Sequence, residues 1–112
     1  MSEVTPFLLI IGTNMLNDVI RLDCSKKENR IYLVKRVMKL LKLTEKPDLN
    51  TLEEASHRLG NKYGLQARYE HGMLIISVAG GYSLINCPSR YEAYCKHILY
   101  IKEYKRYENS KA

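Results

Sequence analysis

The chain has 112 residues and a formal net charge of +6, and 46% of its residues are hydrophobic. That length accommodates one hydrophobic core, so we expect a single domain spanning residues 1–112, and that apolar share excludes wholesale disorder. The longest apolar run, residues 6–12, is far shorter than the roughly 20 residues that cross a bilayer. Glu3 stands where a secretory signal would be basic, so we expect a cytoplasmic protein without a membrane partner.

Cysteine usage and the missing catalytic motifs narrow the class of protein further. Cys24, Cys87 and Cys95 make an odd set at irregular spacing, which disfavours a secreted disulfide framework. The sequence contains no P-loop, no GxGxxG and no Ser/His/Asp order, so nothing in it proposes catalysis. We therefore expect a binding protein rather than an enzyme.

The first predicted elements are short and apolar. Residues 7–11 follow Thr5-Pro6 and predict either a buried strand or a short helix with Pro6 at its first position. Residues 12–14 interrupt this run, and residues 19–23 predict a second strand.

An amphipathic basic helix is predicted from Ser25 to the neighbourhood of Lys46-Pro47. Ser25 and Glu28 match a capping box. Its apolar stripe is broad and consists of Ile31, Leu33, Val34, Val37, Met38, Leu40 and Leu41. Residues 25–47 carry a net charge of +6. Such a helix predicts binding to nucleic-acid phosphates, with a solubilising lysine surface as the alternative. The candidate binding residues are Lys26, Lys27, Arg30, Lys35, Arg36, Lys39 and Lys42.

A second helix and then a β-meander follow. Thr51 and Glu54 repeat the capping pattern, and Gly60 or Gly64 ends the helix. From residue 65 the apolar period changes to two, which predicts strands at residues 65–69, 73–79 and 82–87. His71-Gly72 and Gly80-Gly81 are the predicted turns, and Gly-Gly suits a type I′ hairpin. The expected fold is α+β: two helices, a three-stranded antiparallel meander and a C-terminal helix.

The C-terminal helix is predicted from about Cys95, or earlier, to about Tyr107. Ile98 and Ile101 are its expected core contacts. Three tyrosines at three- and four-residue steps share another face, namely Tyr100, Tyr104 and Tyr107. We expect this tyrosine stripe to be partly exposed, as an interface in a homodimer or as a stacking surface for bases. Packing at the edge of the core is the alternative.

A candidate metal site lies where the hairpin ends and the last helix begins. Cys87-Pro88 is followed by Cys95 and His97. If Cys95 precedes the first regular helical turn, these side chains can converge on one tetrahedral ion. Within a helix, residues two apart point roughly 200° apart and cannot share a metal. The alternative is two buried thiols and a hydrogen-bonded histidine.

Residues 73–101 resemble the SWIM zinc-binding module in their hairpin, in Cys87-Pro88 and in Cys95-Lys96-His97. That family places Cys-x-Cys after a β-hairpin and Cys-x-His at the start of a helix. The resemblance implies zinc as cofactor, with Cys87, Cys95 and His97 as ligands. Ile85 replaces the first family cysteine, so Cys24 or another distant side chain completes the site, a water completes it, or the zinc has been lost.

The resemblance also implies a function. SWIM modules occur in proteins that act on or near DNA, including small accessory partners of strand-exchange recombinases. We therefore expect a nucleic-acid-associated adaptor that holds a partner through its hairpin and last helix. Two alternatives stay open: a metal-free winged-helix DNA-binding regulator with Gly80-Gly81 at the wing tip, and a structural homo-oligomer built on the tyrosine-rich helix.

Overall fold

The computed structural model describes residues 21–78 and 81–111, with side chains up to residue 105 other than that of Val78. The element predicted at residues 7–11 and the start of the strand predicted at 19–23 lie outside these residues. Residues 21–23 are described and do not form a strand, so the predicted strand does not extend to Asp23.

Within the described residues, three helices and three strands follow one another in the predicted order. They are α1 (Lys27–Leu41), α2 (Leu49–Tyr63), β1 (Ala67–Glu70), β2 (Met73–Val78), β3 (Gly81–Asn86) and α3 (Arg90–Lys111). The predicted α+β class is confirmed. None of these helices combines the length and the apolar character needed to cross a membrane.

The strands form an antiparallel sheet in the order β1-β2-β3, which confirms the predicted meander. His71 and Gly72 join β1 to β2 with φ angles of 52° and 73°. Positive φ at both positions is what a type I′ turn requires. In the second hairpin Gly81 pairs with Val78 and already belongs to β3. The turn predicted at Gly80-Gly81 is therefore misplaced by one residue, and the connection at residues 79 and 80 lies outside the described residues.

Helix α1 begins at Lys27 without a side-chain cap. Ser25 donates its backbone N–H and its hydroxyl to Asp23 Oδ1, at 3.0 Å and 2.7 Å, so its hydroxyl is used in a turn that precedes the helix. The predicted capping box of Ser25 and Glu28 is therefore wrong. The helix ends at Leu41, because Lys42 adopts the left-handed conformation with φ 58° and ψ 47°.

The buried face of α1 is narrower than its apolar stripe. Leu33 and Val37 are fully buried, whereas Ile31 is 43% exposed and Val34 is half-buried. Helix α3 is the main element packed against α1. A single neighbouring helix covers one side of α1, so the flank that carries Ile31 stays at the surface.

Helix α2 starts earlier than its sequence pattern predicts. Asp48 accepts a hydrogen bond from the backbone N–H of Thr51 at 2.8 Å, so Asp48 rather than Thr51 is the N-cap. Gly64, with φ of 71°, is the C-cap. Gly60 lies inside the helix and permits close packing: a Cβ there would meet Leu65 O at 3.0 Å and His97 Cε1 at 3.2 Å.

Helix α3 forms the centre of the domain. It packs against α1, α2 and the sheet, and every residue from 92 to 101 is buried. Tyr100 is only 6% exposed. The expected exposure of the tyrosine stripe is therefore wrong at Tyr100, because α3 is enclosed by its neighbours there. Tyr104 is half-buried, and the side chain of Tyr107 lies outside the described residues.

Candidate nucleic-acid interface

The seven residues predicted to contact phosphates fall into two groups. Arg30 and Arg36 are half-buried, and Arg30 donates to the carbonyl oxygen of Cys24 at 2.8 Å. The structure therefore separates cations that stabilise the fold from cations that can meet a ligand. The second group consists of five exposed lysines: Lys26, Lys27, Lys35, Lys39 and Lys42.

A groove of about 430 Å³ lies between α1 and α3. We call it the Tyr32 groove. Four of its six lining residues are cations, and none of the six is acidic, so the groove concentrates positive charge in a concave surface that attracts anions. Its lining consists of Tyr32, Lys35, Arg36, Lys39, Leu99 and Lys102.

Arg36 orients the aromatic ring of this groove. Its Nη1 donates to the Tyr32 hydroxyl at 2.8 Å, and its guanidinium carbon lies 5.6 Å from the ring centroid. Its Nη2 lies 3.5 Å from Oε2 of the buried Glu103 on α3. Tyr32 nevertheless remains 46% exposed. Arg36 thus lies over one face of the ring while nearly half of the side chain stays exposed, and an exposed aromatic ring beside cations is a feature of surfaces on which unpaired bases stack.

A second groove, of about 370 Å³, follows the other flank of α1. We call it the Ile31 groove. Its floor is apolar and its cations outnumber its one acid, Glu92, by four to one. Both flanks of α1 are therefore positive. The lining consists of Lys27, Arg30, Ile31, Val34, Lys35, Met38, Lys46 and Glu92.

Sequence reasoning misses Tyr32 and Lys102 as members of this site. The pair Tyr32 and Arg36 has the i, i+4 spacing at which helical side chains meet, so a search for aromatic–arginine pairs could have found it. Lys102 is far away along the chain and joins the groove only through the packing of α3 on α1.

The three predicted zinc ligands occupy different surroundings. Helix α3 begins at Arg90, so Cys95 and His97 both lie inside regular helix. Residues two apart in a helix point roughly 200° apart, and the condition that would let them share an ion is not met. Among the described residues, no three His, Cys, Asp or Glu side chains are grouped so as to hold a metal. This arrangement does not fit a zinc ion, and zinc binding stays a prediction.

His97 is engaged through both of its ring nitrogens. Nε2 donates to the carbonyl oxygen of Leu65 at 2.6 Å, which leaves Nδ1 as the acceptor for the Ser56 hydroxyl. The side chain is fully buried, and burial lowers the pKa of His97 to about 4. It is therefore a neutral histidine that joins α3 to α2 and to the start of the sheet.

Cys24 and Cys87 are both buried in the hydrophobic core, where their thiols donate to the carbonyl oxygens of Leu22 and Ser89 at 3.8 Å and 3.6 Å. Cys24 and the nearby Lys96 ammonium lower the pKa of Cys87 in spite of burial. Burial raises the pKa of Cys95 to about 12. Lys96 is only 2% exposed, and its Nζ donates to the carbonyl oxygen of Leu22 at 2.8 Å. Two thiols and a buried ammonium thus form a second polar cluster, away from the Tyr32 groove.

Comparison of the chain with protein-family models, with curated proteins and with solved structures finds no match. The two grooves beside α1, with their geometry and charge, are the features of the described chain that bear on its function.

Proposed function

We propose that the protein is a non-enzymatic, nucleic-acid-associated binding domain that holds single-stranded DNA or RNA on α1. The observation that carries the proposal is the Tyr32 groove, where an exposed, oriented aromatic ring is surrounded by cations. In this proposal a base stacks on Tyr32 while neighbouring phosphates meet Lys35, Lys39 and Lys102.

The chemistry favours a single strand over a duplex. Stacking on an aromatic side chain contributes about 1–3 kcal/mol per base, and it requires bases that are not already paired and stacked. The winged-helix alternative instead requires a recognition helix. Helix α2 is the nearest candidate, but its exposed side mixes Glu54 with Arg58 and Lys62. The basic and aromatic face lies on α1.

Charge reversal tests the electrostatic part of the proposal. Lys35→Glu with Lys39→Glu should weaken binding to a labelled single-stranded oligonucleotide by at least tenfold, measured by fluorescence anisotropy. The matched control is Arg58→Glu with Lys62→Glu on α2, which makes the same change in net charge on another exposed surface. The wild-type affinity should fall with salt, with a log–log slope of about −2 for three phosphate contacts.

Equal weakening by the two double variants would show that net charge alone drives binding. Absence of binding to any oligonucleotide would overturn the proposal. Circular dichroism should show the same helical signal for both variants, because surface substitutions usually change stability by less than about 0.5 kcal/mol. Tyr32→Ala should weaken binding by roughly fivefold to a hundredfold, whereas Tyr32→Phe, which keeps the stacking surface, should not.

A second candidate function, a protein adaptor acting through the hairpin, is favoured by a different surface. Tyr82 and Leu84 on β3 are 65% and 61% exposed, and Leu84 pairs across the sheet with the half-buried Ile75. β3 is an outer strand of the described sheet, and exposed apolar side chains on such a strand are typical of contact surfaces. If a second copy binds there, Leu84→Glu should convert a dimer to a monomer in analytical ultracentrifugation. The narrower assignment to DNA recombination or repair has the SWIM resemblance as its only support.

A further inference from the structure

A third groove supports an inference that is independent of the nucleic-acid proposal. It has a volume of about 320 Å³ and lies where the last residues of α1 and α2 meet α3. We call it the Leu59 groove. Its volume is at the lower end of the roughly 300–1,000 Å³ that is typical of small-molecule sites. The lining consists of Leu40, Leu41, Leu59, Tyr63, Ile98, Ile101, Lys102 and Lys105.

Apolar side chains from all three helices form most of this groove. Ile98 and Ile101 of α3 are fully buried at 0% and 2% exposure, and they form its floor. An alkyl chain placed over them would also cover the apolar side chains at the sides, and removing apolar surface from water favours binding. These sides are half-buried and consist of Leu40, Leu41, Leu59 and Tyr63.

The cations of the groove lie together on α3. Lys102 and Lys105 are three residues apart, so they are neighbours on the helix surface, and they follow Ile98 and Ile101 along the helix. The groove is therefore apolar at one end and positive at the other. None of its eight lining residues among those described is acidic, so no lining carboxylate would repel an anion.

Tyr63 stabilises the position of Lys105 at the mouth of the groove. The exposed Lys105 ammonium nitrogen lies 5.4 Å from the centroid of the Tyr63 ring, within the range of a cation–π interaction. The Lys62 ammonium nitrogen lies 5.5 Å from the same centroid, but Lys62 is not part of the lining. The two lysines therefore differ in their access to the groove while sharing the same aromatic neighbour.

We propose that the Leu59 groove binds a free, unbranched fatty carboxylate. The alkyl chain lies over Ile98 and Ile101, and the carboxylate meets the ammonium groups of Lys102 and Lys105. This ligand matches the groove because it combines an apolar chain with a single negative charge at one end.

The two grooves beside α1 fit such a ligand less well. Glu92 lines the Ile31 groove and would repel a carboxylate. Among the described residues that line the Tyr32 groove, Leu99 is the only aliphatic one, so an alkyl chain would find little apolar surface there.

Isothermal titration of the whole protein with butanoate, octanoate and decanoate, each below its micellar concentration, tests the proposal. Decanoate should bind, and each CH₂ group between octanoate and decanoate should tighten binding by about two- to fourfold. Butanoate should not bind measurably. Decyltrimethylammonium has the same alkyl chain with the opposite charge, and it should bind at least about fivefold more weakly than decanoate.

Charge reversal locates the carboxylate. Lys105→Glu should weaken decanoate binding by at least about fivefold, because a like charge replaces the ion pair. The matched control is Lys62→Glu, which makes the same change in net charge beside the same Tyr63 ring and should change the affinity by less than about twofold. Methyl NMR spectra should show decanoate-induced shifts at Leu59 and Ile98.

Absence of decanoate binding, an affinity that does not depend on chain length, or equal weakening by the two lysine variants would each overturn the proposal. Shifts confined to Ile31 or Leu84 would place the ligand on another apolar surface and would overturn it as well. None of these measurements involves an oligonucleotide, so their failure would leave the nucleic-acid proposal unaffected.

Discussion

Helices α1 and α3 contain the same kinds of side chain in opposite environments. On α1, Lys35 and Lys39 are exposed, whereas Lys96 and His97 on α3 are 2% and 0% exposed. On α1 a lysine is solvated and available to an anion. On residues 92–101 of α3 a polar side chain is enclosed by α1, α2 and the sheet, and it must find a partner inside the protein.

The number of charges on a helix therefore does not decide whether the helix stabilises the fold or binds a ligand. Helix α3 buries polar groups that connect distant parts of the fold, since His97 bonds both Ser56 and Leu65. On α1, Arg36 reaches Glu103 of α3 and Arg30 bonds the carbonyl of Cys24 just before the helix, whereas Lys27, Lys35 and Lys39 stay exposed. Substitutions should therefore affect stability on the buried part of α3, residues 92–101, and binding at the exposed lysines of α1.

The largest expected effect is at His97. His97→Ala removes two hydrogen bonds, leaves Ser56 and the Leu65 carbonyl without their partner, and opens a cavity beside Gly60. We expect a loss of about 4 kcal/mol of unfolding free energy, measured by urea denaturation. The control is His57→Ala on the exposed side of α2, which should cost less than about 1 kcal/mol. Similar losses for the two variants would contradict the contrast between buried and exposed polar groups.

The pH dependence of stability gives a slightly smaller effect. Burial lowers the folded-state pKa of His97 to about 4, whereas an unfolded histidine has a pKa of about 6.5. Between these values the unfolded chain binds more protons, so the contribution of His97 is complete above pH 6.5 and is lost as the pH falls towards 4. The change is about 3 kcal/mol.

Urea denaturation from pH 7 to pH 4 measures this change. In His97→Gln the same pH range should show a correspondingly weaker loss, because glutamine does not titrate. An unchanged slope in that variant would assign the effect to other groups.

The tyrosines of α3 provide the smallest contrast. Tyr100 is 6% exposed and Tyr104 is half-buried, although both belong to one predicted stripe. Tyr100→Ser should cost about 2 kcal/mol more unfolding free energy than Tyr104→Ser, because it removes more buried surface. Thermal or urea denaturation of the two variants checks this. Equal losses of unfolding free energy in the two variants would mean that Tyr100 and Tyr104 are buried to the same extent.

Several features were predictable from sequence because they depend on near neighbours. The order of helices and strands follows from apolar periods, and the hairpin at His71-Gly72 follows from its turn residues. The basic character of α1 is also local. Five of the seven predicted binding residues are exposed lysines, so the basic part of the candidate site was predictable.

Other features depend on which distant elements pack together. The starts of α1 and α2 are exceptions of local origin, because Asp23 takes the hydroxyl of Ser25 and Asp48 caps the backbone N–H of Thr51. An apolar period of 3.6 residues does not show the narrow buried face of α1, which is set by the packing of α3 against it. It does not show the burial of Tyr100 either, which is set by the helices and strands around α3.

The Tyr32 groove and the buried thiols show the same contrast between local and distant contacts. Tyr32 and Arg36 are neighbours on one helix, but Lys102 reaches them only because α3 packs on α1. Cys24 lies before α1 and Cys87 lies after β3, and no spacing rule relates them. Local sequence determined which segments fold and which are charged. Tertiary packing decided which charged and sulfur-bearing side chains meet, because contacts between distant residues form only when the apolar faces of whole elements are buried together.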